Sequence, residues 1–263
     1  MKPFIKWAGG KRWLLSDPSF ELPRFEGRYI EPFLGGGAVF FHLAPKTAIL
    51  SDINGRLIET YQAVQSDWQK VLSGLQNMQR LHSKEFYYLE RGRNHACQYE
   101  RAAQFLYLNR TCFNGLYREN LKGQFNVPIG TKSRIIMVDD DFEEASRLLA
   151  AASLSTRDFE ETLREAREGD LVFIDPPYTT AHNVNGFIKY NQKIFSWEDQ
   201  KRLQRCIVSA KRRGAKIILT NADHDSIHQL YAALGAPRVL SRSSVIAGSS
   251  GSRTSTTEVL YAF

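Results

Sequence analysis

The sequence predicts an α/β protein in which an inserted segment interrupts a doubly wound, mostly parallel sheet. Short apolar runs separated by Gly-rich turns fill residues 1–56, and the same alternation returns over residues 138–263. Residues 57–137 have a different, largely helical texture. Strands that alternate with helices favour a parallel sheet, so we expect residues 1–56 and 138–263 to form one domain that residues 57–137 interrupt.

The opening segment is predicted to run strand, loop, helix, strand. Its apolar runs have the length of buried strands, and glycines mark the turns between them. The stretches that carry this pattern are WAGGK at 7–11, YIEPFLGGGAVFFHL at 29–43 and AILSDIN at 48–54.

The middle segment is predicted to be helical as far as Asn109. Gly and Asn punctuate the polar stretch that follows, NRTCFNGLYRENLKGQFNVPIG at 109–130. Such punctuation indicates a β-hairpin rather than a continued helix.

The closing segment returns to strands and helices in alternation. Strands are predicted at 171–175, 216–220 and 258–263, and helices near 197–213 and 225–234, while SLSTRDF at 153–159 belongs to the same α/β region. The Ser-rich stretch 244–257 predicts a hairpin or a mobile loop.

The charge distribution favours a polyanionic partner. Lys and Arg outnumber Asp and Glu by 35 to 28 in a chain of 263 residues, a formal net charge of +7. Residues 101–134 hold six basic residues and one acid, and residues 201–216 hold seven basic residues and no acid. Dense basic stretches suit a surface that follows phosphates. Helical spacing leaves a solvated helix face as the alternative for the second stretch.

The cysteines and the apolar runs indicate the compartment. Cys97, Cys112 and Cys206 form no CxxC pair, so we predict neither a disulfide framework nor a metal site. No apolar run approaches the ~18 residues of a membrane helix, and MKPFIKWAGGKRW lacks the apolar core of a signal peptide. We therefore expect a cytoplasmic protein with no membrane partner, and nothing in the sequence indicates an obligate protein partner.

Asp175-Pro176-Pro177-Tyr178 is the strongest candidate for chemistry. It follows four apolar residues at the carboxyl end of a predicted buried strand, where ligand sites of open α/β sheets gather. The prolines hold an extended backbone with carbonyl acceptors, Asp175 adds a carboxylate, and Tyr178 adds an aromatic face. Two acceptors beside an aromatic plane suit a stacked planar amine, although Pro-Pro after a strand also occurs as an ordinary turn.

The glycines at 35–37 predict a tight turn between a strand and a helix. The surrounding sequence matches neither GxGxxG nor GxxxxGK[ST]. Asp52 follows about one strand later, where doubly wound folds place an acid that grips ribose hydroxyls; a helix N-cap is the alternative. Lys11 is a candidate for binding a carboxylate, with an ordinary surface lysine as the alternative.

The stretch after Asn109 interleaves aromatic, basic and amide side chains, a mixture suited to phosphates and base edges. The alternative is that this stretch is only a polar surface hairpin with no binding role. The predicted DNA contacts in and beside this stretch are Arg110, Asn114, Arg118, Asn120, Lys122 and Lys132.

Five motifs occur in one order: WAGGK, EPFLGGGAVF, SDIN, NRTCFNGLYREN..G.FNVPIG and LVFIDPPY. Together they resemble the DNA adenine methylases of the GATC-modifying type, in which cofactor motifs precede the recognition region and DPPY follows it. The resemblance covers residues 4–263. It implies a Rossmann-like methyltransferase domain and assigns residues 57–137 to DNA target recognition.

The resemblance also implies the residues that bind S-adenosylmethionine. They are Trp7, Lys11, Glu31, Phe33, Gly35, Asp52, Ile53, Asp158, Phe159 and Asp175. Trp7 and Lys11 are expected at the methionine end of the cofactor. Asp52 is expected at the ribose and Ile53 on the adenine.

Further positions match the family's DNA contacts. Asp175, Pro176 and Tyr178 are implied to be the catalytic residues that grip a flipped adenine, and Asn114, Arg118 and Pro128 match recognition positions. Family members often carry an aromatic residue shortly after FNVP.G, where this chain has Thr131-Lys132. The predicted target is therefore GATC or a GATC-like site.

The implied reaction moves a methyl group from S-adenosylmethionine to N6 of an adenine in duplex DNA, leaves S-adenosylhomocysteine and needs no metal. Base flipping makes the adenine accessible. Methylation of RNA or of a protein glutamine is an alternative, because Pro-Pro-Tyr motifs also serve planar amides. A DNA-binding relative without catalysis is another. We expect the protein to act near the nucleoid of a bacterial or phage-infected cell.

Overall fold

The computed structural model describes residues 1–18, 20–115, 117–120, 123–181, 195–243 and 255–263. Lys122 and most of the stretch predicted as a hairpin or loop at 244–257 lie outside these residues.

Helices and strands alternate along much of the described chain. The helices are α1 (Arg12–Leu15), α2 (Ala38–Leu43), α3 (Gly55–Leu81), α4 (Lys84–Arg91), α5 (Gln98–Thr111), α6 (Phe142–Leu149), α7 (Phe159–Arg164), α8 (Trp197–Arg212) and α9 (Asp225–Tyr231), with short 3-10 turns at Phe113–Gly115 and Ala232–Leu234. The strands are β1 (Tyr29–Glu31), β2 (Ala48–Asp52), β3 (Ala152–Thr156), β4 (Leu171–Ile174), β5 (Lys216–Ala222), β6 (Arg238–Ser243) and β7 (Ser255–Ala262).

The chain divides into two compact units, and the seven described strands count as one mostly parallel sheet. The first unit comprises Met1–Phe20 and Leu34–Thr156 and carries the parallel pair β2–β3. The second comprises Glu21–Phe33 and Arg157–Phe263 and carries strands in the order β1-β4-β5-β7-β6. β7 runs antiparallel to both β5 and β6.

In the first unit, the long helix α3 packs against α5. The side chain of Asn54 caps α3 by accepting the N–H of Leu57 at 3.0 Å. Gly74 allows the two helices to approach closely, because a Cβ at this position would lie 2.7 Å from the Cβ of Ala103. Gln65 Nε2 donates to the carbonyl of Leu149, which joins α3 to α6.

The buried end of α5 also fixes the N-terminal segment. Asn109 Oδ1 accepts the backbone N–H of Lys6 at 3.0 Å, and Asn109 Nδ2 donates to the Lys6 carbonyl at 2.8 Å. Asn109 is fully buried, so these bonds compete little with water. They set the position of the following residue, Trp7.

In the second unit, one buried carboxylate joins the starts of β1 and β4. Asp170 Oδ1 accepts the backbone N–H of Arg28 at 2.8 Å, and Asp170 Oδ2 accepts the Arg28 guanidinium at 2.7 Å. Gly27 leaves room for this arrangement, because a Cβ there would lie 2.6 Å from Asp170 Oδ1. Parallel strands end at the same edge of a sheet, so the residues after Glu31 and after Ile174 emerge side by side.

β5 and β7 extend this edge. Ile174 of β4 pairs with Leu219 of β5, and Thr220 of β5 pairs with Leu260 of β7. β4 is buried along its whole length, which fits its run of four apolar residues. The residue after β4, Asp175, therefore lies next to Thr220.

The predicted α/β fold with a mostly parallel sheet is confirmed. The strands predicted at 171–175, 216–220 and 258–263 are β4, β5 and β7, and the two helices predicted in this region are α8 and α9. The packing divides the chain elsewhere than predicted, because residues 57–137 fall inside the first unit together with β2 and β3. Their separate role as a recognition domain stays a prediction.

No helix in the described part of the chain is both long enough and apolar enough to cross a membrane.

Asp170→Asn should weaken the fold in a pH-dependent way. Burial alone would raise the pKa of Asp170, but hydrogen bonds from the Arg28 side chain and from the backbone of Arg28 and Arg167 hold it below its ordinary value. A carboxylate with a lowered pKa stabilises the fold fully at neutral pH and loses that contribution as the pH falls through its folded-state pKa. We expect the variant to lose about 3 kcal/mol in free energy of unfolding at neutral pH.

Urea unfolding at a series of pH values measures this effect. The difference between wild type and variant should shrink below about pH 4, where the unfolded-state aspartate also takes up a proton. Asp139→Asn is the control, because Asp139 forms an exposed pair with Lys2 and should contribute little at any pH. A difference for Asp170→Asn that stays constant with pH would contradict the assignment.

Candidate active site

The Asp-Pro-Pro-Tyr segment leaves the carboxyl end of β4 and is held at both ends. Thr220 Oγ1 donates a hydrogen bond to Asp175 Oδ1 at 2.7 Å. The Tyr178 hydroxyl donates to Glu258 Oε2 at 2.7 Å. Both supporting residues are buried, with 1% of Thr220 and 3% of Glu258 exposed. Asp175 and Tyr178 are themselves only partly buried, so they lie at the border between the core and solvent.

The electrostatics keep the tyrosine hydroxyl protonated. Burial raises the pKa of Tyr178 well above its ordinary value, and the negative charges of Asp175 and Glu258 raise it further. The hydroxyl therefore stays a donor to Glu258 over the whole physiological range. The segment presents a carboxylate, the Pro176 carbonyl and an aromatic ring, which are the groups expected to bind a planar amine.

An aromatic cluster lies in the same unit as this edge. Phe33, which follows β1, stacks on Phe159 with ring centroids 5.3 Å apart. Phe195 meets both rings edge-on. Glu31 is buried at the end of β1, and its Oε2 accepts the Tyr29 hydroxyl at 2.9 Å. The predicted cofactor residues Glu31, Phe33 and Phe159 are thus all held in packed positions.

Asp158 has a role in the fold that the sequence analysis did not predict. Its side chain caps α7 by accepting the N–H of Glu160 at 2.8 Å. Both of its oxygens also bind the Arg202 guanidinium, at 2.7 and 2.9 Å. The guanidinium carbon of Arg202 lies 4.2 Å from the centroid of the Phe159 ring. Asp158 and Arg202 together therefore fix Phe159 in place.

In the first unit, Trp7 and the glycine turn lie together. Gly35 has a φ of +48°, and a Cβ there would lie 2.6 Å from Trp7 Cδ1, so both the backbone conformation and the ring favour glycine. The hydroxyl of Tyr61, a residue of α3, donates to the Gly35 carbonyl at 2.9 Å. The ring of Trp7 therefore packs directly against this turn.

Asp52 is part of the same group. Its Oδ2 accepts the N–H of Gly35 at 3.0 Å, and its Oδ1 accepts the N–H of Asn54 at 2.9 Å. Burial raises the pKa of Asp52 above its ordinary value, and the hydrogen bonds from these backbone N–H groups offset only part of that rise. Asn54, not Asp52, caps α3, so the N-cap alternative for Asp52 is wrong. Ile53 is 64% exposed beside this carboxylate.

Lys11 is not an ordinary surface lysine. Only 3% of the residue is exposed, and its Nζ donates to the Gly9 carbonyl at 2.8 Å. The glycine turn of WAGGK and the lysine that follows it thus form one local structure.

The predicted hairpin after Asn109 is present in the described residues. Glu119 and Phe125 form an antiparallel bridge, and the N–H of Asn120 donates to the Gln124 carbonyl at 2.8 Å. Arg118 is exposed and donates through Nε to Asn126 Oδ1 at 2.9 Å. The hairpin therefore presents Arg118 and Asn120 at the surface.

Two further predicted recognition residues meet at the base of this hairpin. Asn114 is exposed and adopts a left-handed backbone conformation with a φ of +57°. The preceding N–H, that of Phe113, donates to the Pro128 carbonyl at 2.9 Å, which brings Asn114 and Pro128 together. Lys132 is exposed beside Lys6, and burial together with this neighbouring ammonium group lowers the pKa of Lys6 to about 8.

The structure contradicts the predicted DNA contact by Arg110. The residue is 2% exposed, and its Nη2 donates to Asp140 Oδ1 at 2.7 Å and to the Phe4 carbonyl at 2.8 Å. Nη1 donates to the Ile135 carbonyl at 2.6 Å. The guanidinium is thus engaged in hydrogen bonds with residues of the first unit. Its position in a basic stretch did not reveal this, because the acidic partner lies 30 residues away.

The basic stretch 201–216 has a role in the fold that neither the predicted phosphate-binding surface nor the alternative of a solvated helix face included. Several of its side chains bind groups within the second unit. Arg202 binds Asp158, Lys201 binds Glu198, Arg213 donates to the carbonyls of Leu163 and Ala166, and Lys216 donates to the carbonyl of Arg24.

The sequence did not reveal the residues whose side chains hold the site residues in place. Thr220, Glu258, Tyr61 and Arg202 belong to no motif, and each lies far along the chain from the residue it holds. The available signal was a polar residue within an otherwise apolar strand: Thr220 ends KIILT, and Glu258 begins EVLYAF.

In the residues that the structure describes, no group of three or more His, Cys, Asp or Glu side chains is gathered as a metal site would require. The expectation of metal-free chemistry stays a prediction.

The fold and the site define an α/β enzyme with acceptors and an aromatic ring arranged for a planar amine. The sequence profile of the D12 class N6 adenine-specific DNA methyltransferases matches residues 7–244, and the chain belongs to this family. It is an adenine-specific DNA methyltransferase.

Similar proteins carry corresponding names. The chain is 38% identical to Type II methyltransferase M1.LlaDCHI of Lactococcus lactis subsp. cremoris, over 88% of this chain and 84% of the relative. It is 36% identical to Type II methyltransferase M.MjaIII of Methanocaldococcus jannaschii, over 92% of each chain. It is 34% identical to a DNA adenine methylase of Serratia marcescens, over 88% of this chain and 87% of the relative.

Arg110→Leu should destabilise the protein because it leaves Asp140 and two carbonyl groups without their donor. We expect the free energy of unfolding in urea to fall by about 3–5 kcal/mol. Arg134→Leu is the matched control, since Arg134 is an exposed arginine of the same basic stretch and should change stability little. Unchanged stability together with weaker DNA binding for Arg110→Leu would restore the original prediction.

Proposed function

We propose that the enzyme moves a methyl group from S-adenosylmethionine to N6 of an adenine flipped out of duplex DNA, at GATC or a GATC-like site. The observation that carries the proposal is the pairing of Asp175 and Tyr178 at the carboxyl edge of β4, each tied to a buried strand residue. A rigid acceptor and a rigid ring are what an extruded base needs in order to react from one orientation.

The target nitrogen is a poor nucleophile because its lone pair is delocalised into the purine ring. In this proposal the Asp175 carboxylate and the Pro176 carbonyl accept its two N–H bonds, which draws the nitrogen towards tetrahedral geometry and exposes the lone pair. Tyr178 stacks on the base. Extruding a base costs a few kcal/mol, and stacking on an aromatic side chain returns roughly 1–3 kcal/mol.

Charge also favours this assignment. Positive charge develops on the nitrogen as the new N–C bond forms, and Asp175 lies where a fixed negative charge stabilises it. Preorganised groups in a partly dry site do this better than water, because they need no reorientation during the reaction. The nitrogen sheds one proton once the new N–C bond has formed, and Asp175 accepts this proton and passes it to solvent.

The residues of the first unit fit an adenosine-type donor. Asp52 supplies an acceptor for ribose hydroxyls, and the 64% exposed Ile53 beside it supplies an apolar face for a purine ring. When bound, S-adenosylmethionine supplies an electrophilic methyl group. We assign Trp7 and Lys11 to its methionine end.

The remaining cofactor assignments rest on the family resemblance. We assign Glu31, Phe33, Gly35 and Phe159 to cofactor binding. For Asp158, which caps α7 and binds Arg202, we propose an indirect role in holding Phe159.

Target choice is assigned to the hairpin and to the residues at its base. Arg118, Asn114, Asn120 and Pro128 are exposed there, and Arg118 is suited to a guanine edge. Lys132 is assigned to a phosphate, because the two crowded ammonium groups of Lys6 and Lys132 favour an anion between them. Lys122 lies outside the described residues, and its DNA contact remains a prediction from the sequence.

Asp175→Asn should abolish methylation while cofactor binding is partly retained, because the family resemblance also places Asp175 near the cofactor. The amide keeps the size of the side chain but loses the charge and one acceptor, so we expect kcat to fall by at least about 10²–10³-fold. Transfer of tritiated methyl groups to DNA measures kcat, and calorimetry measures cofactor affinity. Asp223→Asn is the matched control, because Asp223 follows β5 in the same unit and pairs with His228. Methylation by Asp175→Asn at the wild-type rate would refute the mechanism.

Arg118→Ala should relax target choice without slowing the chemistry at the preferred site by a similar factor. Loss of a base contact costs about 1–3 kcal/mol of discrimination at one position. Sequencing of modified adenines in plasmid DNA measures the preference. Arg147→Ala, which removes an exposed arginine of α6, should leave it unchanged. Uniformly weaker binding to all sequences would make Arg118 a phosphate contact instead.

A further inference from the structure

Two polar residues in the core strands contact the two ends of the Asp-Pro-Pro-Tyr segment. Thr220 ends the apolar part of β5 and contacts Asp175, while Glu258 lies in β7 and contacts Tyr178. β5 and β7 are hydrogen-bonded neighbours with Ala222 opposite Glu258. One pair of strands thus carries both supports.

The burial of Glu258 calls for a reason. An ionisable side chain with 3% exposure is desolvated, and an apolar residue at the same place in β7 would cost the fold less. Its neighbours Val259 and Leu260 are buried apolar residues of the same strand. The hydrogen bond from the Tyr178 hydroxyl joins Glu258 to the Asp-Pro-Pro-Tyr segment.

The geometry explains what such a contact achieves. A bond at the hydroxyl of a tyrosine fixes the position of the far end of the ring, and because the phenolic O–H prefers to lie in the plane of the ring, the direction of this bond also favours one ring plane. A bond from Thr220 to one oxygen of Asp175 likewise fixes the rotation of the carboxylate. Both anchors stand on buried strands, which move less than the segment they hold.

We propose that Glu258 and Thr220 are positioning residues for methyl transfer: Glu258 sets the plane on which the flipped base stacks, and Thr220 sets the direction of the carboxylate that accepts its amino protons. The inference rests on the proposed roles of Asp175 and Tyr178. Neither residue touches the reacting atoms. Misplacement of a reacting group by ~1 Å costs about 10²-fold in rate, so small changes in these anchors should appear in kcat.

A double-mutant cycle tests Glu258. Tyr178→Phe removes the donor, and Glu258→Leu removes the acceptor while it fills most of the space. Each variant should lower kcat by about 10- to 100-fold with unchanged affinity for S-adenosylmethionine, because each loses one bond to a charged group. The double variant should be no slower than the slower single variant, since both remove the same interaction. Losses that multiply would overturn the positioning role of Glu258.

A spectroscopic readout separates positioning from general damage. The DNA is a duplex that carries 2-aminopurine in place of the adenine that sequencing identifies as the wild-type target. Stacking on Tyr178 quenches this fluorophore, so Glu258→Leu bound to the duplex should give brighter emission than wild type. Emission equal to that of wild type would show that Glu258 does not set the stacking plane.

Conservative variants keep the test decisive if Glu258→Leu fails to fold. Glu258→Gln retains an acceptor oxygen and should keep most of the activity. When Tyr178→Phe is also present, Glu258→Gln should cause no further change in kcat. Thr220→Ser should be close to wild type, whereas Thr220→Val, which has the same shape without a hydroxyl, should lower kcat by about tenfold or more. Equal losses for Thr220→Ser and Thr220→Val would refute the role of Thr220.

Controls separate this inference from the proposed function. Tyr261→Phe removes a buried hydroxyl from β7 without touching the segment and should leave kcat unchanged. If Asp175→Asn is inactive while Glu258→Leu and Thr220→Val match wild type, the positioning inference fails and the proposed function stands. If Asp175→Asn is active, the proposed function fails as well.

Discussion

The buried carboxylate of Asp170 is the interaction on which the geometry of the second unit depends. It binds Arg28 through both side chain and backbone, and Gly27 packs against it, so the starts of β1 and β4 are fixed in one register. A shift of one residue in either strand would turn every following side chain to the other face. Glu31 and Asp175 then leave the far ends of these strands at one edge. The chemistry at that edge thus depends on a contact at the opposite end of the same strands.

At this edge, side chains of neighbouring strands hold the Asp-Pro-Pro-Tyr segment. Asp175 and Tyr178 lie beyond the end of β4, outside the strand pairing described for Leu171–Ile174. Thr220 and Glu258 replace that support with two side-chain bonds from neighbouring strands. Phe33 and Phe159 are held in a comparable way, since Arg202 lies over the Phe159 ring and binds Asp158 at its base. In each case a side chain from a neighbouring element fixes the residue.

Basic residues serve either the fold or the exposed surface, and the composition of a stretch does not distinguish the two roles. Arg110 and Arg118 are eight residues apart in one basic stretch, yet Arg110 is buried against Asp140 and Arg118 is exposed on the hairpin. Arg202 likewise serves the fold although it belongs to a stretch of seven basic residues. A guanidinium takes whichever anion the fold brings near, and the carboxylates of Asp140 and Asp158 lie 30 and 44 residues away in the chain. Counting bases therefore overestimated the surface available to DNA.

The sequence by itself determined the family, the α/β class and the central motif, because these depend on local order: an apolar strand, the residues that end it and the sequence of motifs along the chain. It also predicted the hairpin, whose Asn and Gly residues act over a few positions. Only the tertiary structure decided that Arg110 is internal, that Asn54 rather than Asp52 caps α3, and that Thr220 and Glu258 hold the Asp-Pro-Pro-Tyr segment. Those outcomes depend on strand pairing and burial between distant residues, and pairing is set by the packing of the whole unit rather than by any neighbouring residue.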